Sequence, residues 1–335
     1  MKSLRSYLNM AAVAVVVAIA FVFPAAAQKY TMKLAIVVAN DPLHESIKAY
    51  ARKIEEKSGG AIKAVLYPSA QLGKIPRLIE GMQLGTIEFI ATPTGFLKGV
   101  DQRFQVLEVP GVFRSPLHAH KTITDPVFRT PFLKLGEGKG VKGVSLWMYG
   151  PTSYATMTPI RKLADFKGKK IRVLATKVET EIMRRLGATG VPMPYSETVP
   201  GLQRKLIDGV RSNIVVMNAT KHHTVAKYIT VVNDTYIPCA GFVSLVWYNK
   251  LPKNLQKAVV DAGREIEETM YEIGQKYAAR AEQGWRDGGA EVIRLSDSDQ
   301  KKFMETVQPI GDEVLGKRAD TKAMFELMKQ TSLKH

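Results

Sequence analysis

A single arginine stands inside a stretch that otherwise has the pattern of a β-strand. Arg172 lies between two aliphatic residues, after a turn-prone run at residues 165–169 and before a helical pattern that starts near Val178. An isolated buried charge is very costly, so this guanidinium needs an anionic partner or water. Its planar fork of N–H donors fits a carboxylate with two parallel bonds. Arg172 is therefore a candidate for capturing an organic anion, and a structural salt bridge is the alternative.

Three aromatic side chains lie at the ends of predicted elements. Trp147 and Tyr149 close a strand predicted at residues 144–148, and Tyr195 stands just before a predicted helix. An aromatic face beside a guanidinium suits a small organic anion, because the ring covers carbon while the fork takes the carboxylate. For each of the three rings, packing in the hydrophobic core is the alternative.

Other residues that could do chemistry do not form a complete set. GKGVKG at 138–143 matches a dinucleotide fingerprint, but a helix precedes it and a strand follows it, which is the reverse of what phosphate binding requires. His222 and His223 are adjacent and point in different directions, so a solvated pair is expected. Cys239 is expected to be a small buried residue. We predict no metal site, no cofactor and no catalytic nucleophile–base pair, hence no enzyme.

The elements that must position these residues alternate between strand and helix. Strands are predicted at 31–38, 62–67 and 87–92, with helices between them, and this order predicts a mostly parallel sheet covered by helices. The alternation restarts after Gly150, with strands predicted at 171–174 and 214–217. Two α/β lobes follow from this repetition.

Two later segments connect the lobes. Residues 242–249 alternate in hydropathy and are predicted to form a strand that returns to the first lobe. Apolar residues at three- and four-residue steps predict one helix over 252–288, which at ~1.5 Å per residue extends roughly 50 Å and can lie across both lobes. We expect lobe I at 28–149 plus 238–277 and lobe II at 150–237 plus 278–335.

The first 27 residues have the layout of a cleavable secretory signal. Lys2 and Arg5 precede an apolar run at 11–22 that is short for a membrane span, and small residues follow at 25–27. No basic stop-transfer cluster follows the run. We therefore expect cleavage after about Ala27 and a mature chain exported to the periplasm.

The charge of the chain is strongly positive. Removing Lys2 and Arg5 from the 48 basic residues leaves 46 against 31 acidic ones, a net charge of +15. The basic residues are spread out, with no Lys/Arg run and no nucleic-acid-binding signature. We expect a diffuse field that attracts small anions and no nucleic-acid partner.

Six short segments together resemble one family. They are FKGKKIRV (166–173), PYSE (194–197), LIDG (206–209), EKSGG (56–60), YPSAQLG (67–73) and IEGMQLGT (79–86). Taken in their order along the chain, they resemble the DctP-type substrate-binding proteins of tripartite ATP-independent periplasmic (TRAP) transporters, over essentially the whole mature chain. The resemblance implies a periplasmic-binding-protein-like fold of the type II kind, with crossing strands and a long hinge-spanning helix, that closes on its ligand like a flytrap. It also implies delivery of the ligand to membrane permease subunits.

The resemblance also implies roles for individual residues. Arg172 falls on the ligand arginine of the family and Tyr195 on an aromatic position of the pocket. Ser212 or Asn213 falls where the family often places an asparagine that holds the carboxylate. Thr152 stands where many members carry a second arginine, and we expect Thr152, Ser212 and Asn213 to supply hydrogen bonds to the ligand.

Further candidates complete the predicted ligand site. They are the apolar Val37, where some sugar-acid binders have a polar residue, and Thr92, at the end of the third predicted strand. The departures favour a monocarboxylate, aromatic or branched, over a polyhydroxylated uronate. The leading hypothesis is a monomeric periplasmic receptor for one small organic acid. An exported enzyme acting on a carboxylate and a sensory binding protein for a membrane kinase are the alternatives.

Overall fold

The computed structural model describes residues 29–335, so the predicted secretory signal lies outside the described residues. Within these residues, nine strands form one mixed sheet. They are β1 (Tyr30–Ala35), β2 (Ile62–Tyr67), β3 (Phe89–Pro93), β4 (Val141–Thr156), β5 (Lys170–Val173), β6 (Thr189–Pro192), β7 (Gly209–Asn213), β8 (Tyr228–Ser244) and β9 (Glu291–Arg294).

Twelve α-helices of the described part cover this sheet. They are α1 (Pro42–Lys57), α2 (Ile75–Leu84), α3 (Pro116–Thr124), α4 (Pro126–Leu133), α5 (Lys177–Arg185), α6 (Thr198–Gln203), α7 (Ile214–Ala219), α8 (Leu245–Tyr248), α9 (Lys253–Asp287), α10 (Asp297–Val307), α11 (Ile310–Leu315) and α12 (Ala319–Ser332). Short 3₁₀ helices at Thr94–Gly99, Gln102–Glu108 and Tyr195–Glu197 matter for the site.

The order of the strands divides the sheet into two lobes. The order is β2-β1-β3-β8-β4-β7-β5-β6, with β9 beside β8. Parallel β1 and β2, with β3, form the first lobe, and parallel β5, β6 and β7 form the second. The long strands β4 and β8 pair antiparallel with each other and join the two lobes, as the resemblance implies.

The crossing strand β4 bends where it passes between the lobes. The register of the β4–β8 pair shifts between Met148 and Gly150 and again between Pro151 and Ser153. Gly150 has φ +150°, and a Cβ at this position would lie 2.4 Å from Nδ2 of Asn213. A side chain at residue 150 would therefore push β7 away from the bend.

The long helix spans both lobes, as its sequence pattern predicts. Helix α9 has 35 residues and packs against α1 of the first lobe, against α7 of the second and against β4. Its buried residues include Leu255, Val259, Ile266 and Met270, which are among the residues whose spacing predicted the helix. No helix within residues 29–335 is both long enough and apolar enough to cross a bilayer.

The sheet has a hydrophobic cluster on each of its faces. On β4, Met148 belongs to one cluster, whereas Trp147 and Tyr149 belong to the other, under α1 and α9. This division follows from the alternation of side chains along a strand. Each face of the sheet is thus closed by helices, and the cleft between the lobes interrupts this packing.

Two predicted elements are wrong. Residues 214–217 are the helix α7, and β7 ends just before it at Asn213, whose side chain accepts a hydrogen bond from Val215 N and caps the helix. The predicted strand at 242–249 is the end of β8 followed by the short helix α8. In both segments valine and other strand-forming residues favour a strand by their propensity. A serine or asparagine cap nevertheless starts a helix there.

The contacts of the last helix change the expected lobe boundary. Helix α12 packs against α3, α4 and the 3₁₀ helix Gln102–Glu108, all of which precede β4. His118 Nε2, in α3, lies 2.8 Å from the carbonyl oxygen of Ser332. The assignment of 278–335 to lobe II therefore needs correction for α12, whose partners belong to the first part of the chain.

Candidate functional site

A cavity lies between the lobes, at the ends of their strands. Its empty space is about 460 Å³, part of which is open to solvent. Most of its lining is aliphatic or aromatic, as is usual for sites that bind small organic molecules. The lining residues are Val37, Val38, Leu43, Ile75, Pro93, Phe96, Tyr149, Arg172, Leu174, Glu179, Tyr195, Arg211, Ser212, Val216 and Ile237.

Arg172 is the arginine of this cavity that has an N–H donor group without a partner in the described residues. The side chain projects from β5 and is only 1% exposed. Its Nε donates to the carbonyl oxygen of Met193 at 3.0 Å, whereas Nη2 is buried without a hydrogen-bond partner among residues 29–335. Burial lowers the pKa of Arg172, and the carboxylate of Glu179 opposes this. A guanidinium nevertheless stays charged in proteins, so an unmatched positive charge faces the cavity.

Two aromatic rings flank this guanidinium. Its Cζ lies 5.4 Å from the centre of the Tyr195 ring and 6.0 Å from that of Phe96. Tyr195 belongs to the second lobe and Phe96 to the first, so the cation is held between rings from both lobes. The Tyr195 hydroxyl lies 3.0 Å from Oγ1 of Thr220, which also donates to Val216 O. The hydroxyl of Tyr195 is therefore engaged with Thr220, and its ring flanks the guanidinium at the cavity.

Tyr149 forms the wall of the cavity on β4. Its hydroxyl donates to the carboxylate of Asp41, which also caps α1 by accepting from His44 N. Burial raises the pKa of Asp41 to about 6, and the bond from Tyr149 limits the rise. Asp41 thus keeps the Tyr149 ring in position through one buried hydrogen bond.

The structure places the predicted site residues in two groups. Val37, Tyr149, Arg172, Tyr195 and Ser212 line the cavity. Trp147, Thr92, Thr152 and Asn213 are buried outside its lining.

A structural reason places three of these four, Trp147, Thr92 and Thr152, outside the lining. The Trp147 ring packs edge-on against Tyr149 at 5.7 Å, inside the cluster under α9. Thr92 is enclosed within β3, where it pairs with Ala240 of β8. Both residues support wall residues of the cavity and are not part of the wall.

Thr152 uses its hydroxyl within the protein, whereas Asn213 uses only its side-chain oxygen there. The hydroxyl of Thr152 donates to Asp234 and accepts from Thr235 N at 3.3 Å. The oxygen of Asn213 caps α7, so only its amide nitrogen, which has no partner in the described part, is free to donate. A hydrogen bond from Thr152 to a ligand is therefore excluded in this arrangement.

The sequence reasoning missed a second buried cation, Arg211. Its Nη1 contacts Glu179, its Nη2 contacts Asp234 at 2.7 Å, and its Nε donates to the Tyr154 hydroxyl at 3.1 Å. Burial alone would lower the pKa of Arg211, but the two carboxylates raise it well above its usual value. The partners lie 32 and 23 residues away in the chain, so no local pattern could have revealed this cluster.

The expectation for His222 is also wrong. Its ring is fully buried, with Nε2 2.8 Å from Thr198 Oγ1 and Nδ1 2.9 Å from Thr220 Oγ1. Burial lowers the pKa of His222 to about 3, so it is neutral. Through Thr220 it supports the Tyr195 ring. Cys239 is buried, as predicted.

Contacts across the cleft indicate a closed arrangement. Lys74 at the start of α2 pairs with Glu197 beside Tyr195, and Lys177 N in α5 donates to Gln105 Oε1 at 3.3 Å. Both contacts connect the first lobe with the second. Arg172 and its flanking rings are thus covered from both sides.

Comparison with known proteins identifies a family. The model of family 7 of the bacterial extracellular solute-binding proteins, DctP, matches residues 35–317. The 2,3-diketo-L-gulonate-binding periplasmic protein of Escherichia coli K12 is 28% identical over 80% of this chain and 81% of its own length. The C4-dicarboxylate-binding periplasmic protein of Rhodobacter capsulatus is 28% identical over 90% and 91%.

Solved structures give the same fold. A TRAP periplasmic solute-binding protein of Desulfovibrio salexigens with bound orotic acid superposes with a TM-score of 0.87 at 23% identity, covering 91% of this chain and 99% of its own. One from Xanthobacter autotrophicus Py2 with bound β-D-galacturonate has a TM-score of 0.82 at 26% identity, covering 90% and 99%. The two-lobed α/β architecture predicted from the sequence is confirmed.

Proposed function

The chain belongs to family 7 of the bacterial extracellular solute-binding proteins, and on that premise we propose that it captures an apolar monocarboxylate between its lobes. It is a periplasmic receptor that binds a small organic anion and passes it to the membrane subunits of a TRAP transporter. The family is one of substrate-binding proteins, so we expect the ligand to be released chemically unchanged. Action as a monomer and cleavage after about Ala27 belong to the same proposal.

The open donors of Arg172 carry this proposal. The guanidinium faces the cavity with a buried Nη2 that has no partner in the described residues, and it is held between the rings of Tyr195 and Phe96. A carboxylate at this point would match its charge and its fork of donors at once. Ser212 and the amide nitrogen of Asn213 are the next donors along β7.

The rest of the lining supports an apolar body for the ligand. Val37, Ile75 and Ile237 present aliphatic surface, and the hydroxyl of Tyr149 is already bonded to Asp41. Each ligand hydroxyl buried against such surface without a partner costs roughly 1–3 kcal/mol. We therefore propose an aromatic or branched monocarboxylate in preference to a uronate.

Isothermal titration calorimetry with benzoate, 4-methylpentanoate and D-galacturonate tests the ligand class. We expect an apolar acid to bind at least about tenfold more tightly than galacturonate, equivalent to ~1.4 kcal/mol. Mass spectrometry of the recovered acid checks that no turnover has occurred. Tighter binding of galacturonate would contradict the apolar class, and a changed acid would favour the enzyme alternative.

The variant Arg172→Ala tests the anchor. We expect it to lose roughly 2–5 kcal/mol of binding free energy for the acid found in that screen, since one partner of a desolvated charge pair is removed. Arg204→Ala is the matched control, because Arg204 is an exposed arginine of the second lobe. Equal affinities for the two variants would rule out Arg172 as the anchor.

A further inference from the structure

Glu108 is a buried carboxyl group beside the cavity that the proposed ligand contacts do not use. It ends the 3₁₀ helix Gln102–Glu108 and is 4% exposed, and neither carboxyl oxygen has a hydrogen-bond partner within residues 29–335. The group lies against Gly95, where an added Cβ would come within 1.6 Å of its Oε1. Glu108 therefore occupies space that only glycine leaves free, one residue before Phe96 of the cavity wall.

The groups that face Glu108 come from both lobes. Glu179 and Thr176 approach from the start of α5, Arg211 from β7 and Lys98 from the preceding 3₁₀ helix of the first lobe. The pKa of Glu108 is raised to about 8: burial and then the carboxylate of Glu179 raise it, while Thr176, Arg211 and Lys98 oppose the rise. The Thr176 hydroxyl lies close enough to have this effect, although it does not form a hydrogen bond with either oxygen.

The charged groups on the other elements packed against this 3₁₀ helix interact with residues other than Glu108. Strand β8 carries Asp234, which is bonded to Arg211. From α12, Asp320 acts on Arg103 near the start of the same 3₁₀ helix. Arg211 thus already faces the carboxylates of Glu179 and Asp234, and an ionised Glu108 would be a third carboxylate near it. Glu108 also acts on the guanidinium of Arg172, which is the proposed anchor of the ligand. Like charges at such a site disfavour ionisation.

We propose that Glu108 is a positioning residue for anion capture: it holds a proton in the folded, ligand-free protein at neutral pH, and loss of that proton opposes closure of the lobes on an anion. The repulsion acts across the cleft, because Glu108 belongs to the first lobe and Glu179 to the second. A carboxylate bound at Arg172 would add to this repulsion. The effect on affinity rests on the proposed function, whereas the proton on Glu108 does not.

Infrared spectroscopy of the ligand-free protein at pH 7 tests the proton. We expect the carbonyl stretch of a protonated carboxylic acid to be present in the unmodified protein, lost in Glu108→Gln and kept in Glu305→Gln, which removes an exposed carboxylate of α10. As a measurement that needs no variant, the carboxyl carbon signal of ¹³C-labelled glutamate should titrate with a midpoint near pH 8. A carbonyl band unchanged in Glu108→Gln, with no glutamate titrating near that pH, overturns the proposal.

Calorimetry with benzoate as the probe tests the coupling to capture. By linkage, affinity should fall about tenfold for each pH unit above the pKa of Glu108, so binding at pH 9 should be roughly tenfold weaker than at pH 7. We expect less than about a twofold change in Glu108→Gln and the full change in Glu305→Gln. A pH-independent affinity in the unmodified protein overturns the coupling. Absence of benzoate binding contradicts the proposed ligand class instead, and the infrared band then decides the proton on Glu108 separately.

Discussion

Two buried arginines line the cavity, and they differ in whether their charge is paired within the protein. Arg211 is in contact with Glu179, Asp234 and the hydroxyls of Tyr154 and Thr235, so its donors are spent within the protein. Arg172 makes one hydrogen bond to a carbonyl oxygen and otherwise faces aromatic rings and the cavity. The carboxylates raise the pKa of Arg211, whereas burial lowers that of Arg172. A buried cation that its protein leaves unmatched is the one available to a ligand.

Replacing Arg211 should produce the largest change in stability. Arg211→Met would leave Glu179 and Asp234 buried without their common cation, and breaking such a pair by removing one partner costs roughly 3–5 kcal/mol. Urea unfolding followed by circular dichroism measures the free energy of unfolding.

Arg172→Met is the matched comparison. Removing an unmatched buried cation should leave the free energy of unfolding within about 1 kcal/mol of the parent or raise it, while the binding of the acid is lost. If the two variants lose equal stability, the distinction between a structural and a ligand-facing arginine fails.

The contact between Glu108 and Gly95 tests how rigid the surroundings of Arg211 are, which bears on the comparison between Arg211 and Arg172. Gly95→Ala would force a Cβ against Oε1 of Glu108, and overpacking of this kind typically costs 1–3 kcal/mol. The double variant Gly95→Ala/Glu108→Ala should recover most of that loss, which a double-mutant cycle of unfolding free energies measures. Additive losses would indicate that the loss in Gly95→Ala does not come from its contact with Glu108.

The titration of Asp41 should change the free energy of unfolding by a smaller amount, because the partner of Asp41 is the neutral hydroxyl of Tyr149 and not a cation. Burial raises its pKa in the folded protein to about 6, against ~3.9 when unfolded, so between these values the folded state holds a proton that the unfolded state has lost. Stability should therefore fall as pH rises from about 4 to 6, by at most ~1.4 kcal/mol per pH unit, and Asp41 adds no slope above that.

Unfolding free energies of Asp41→Asn across the same pH range measure this contribution. The amide keeps the cap of α1 and cannot titrate, so the parent should show the steeper decline. Parallel curves for the two proteins would mean that Asp41 is ionised throughout and that Tyr149 is held by a charge.

Local patterns predicted most of the fold, and five of the nine predicted site residues line the cavity. The strand at 62–67, the long helix and the Arg172 strand follow from periodicity, which depends only on neighbouring residues. Helix α7 was missed because valines in Ile214–Ala219 favour strand, whereas the cap from Asn213 decides the local structure. Position Thr152 was predicted to serve the ligand, but its hydroxyl bonds to Asp234, far along the chain in β8.

The sequence by itself determined an α/β protein with an arginine in a strand and aromatic residues near it, because periodicity and short motifs are properties of adjacent residues. Only the tertiary structure decided which charges are neutralised. Arg211 contacts Glu179 and Asp234, and Glu108 lies near Glu179 across the cleft. The members of each pair are tens of residues apart along the chain. Electrostatic pairing depends on separation in space and on exclusion of water, and both arise only when the lobes pack together.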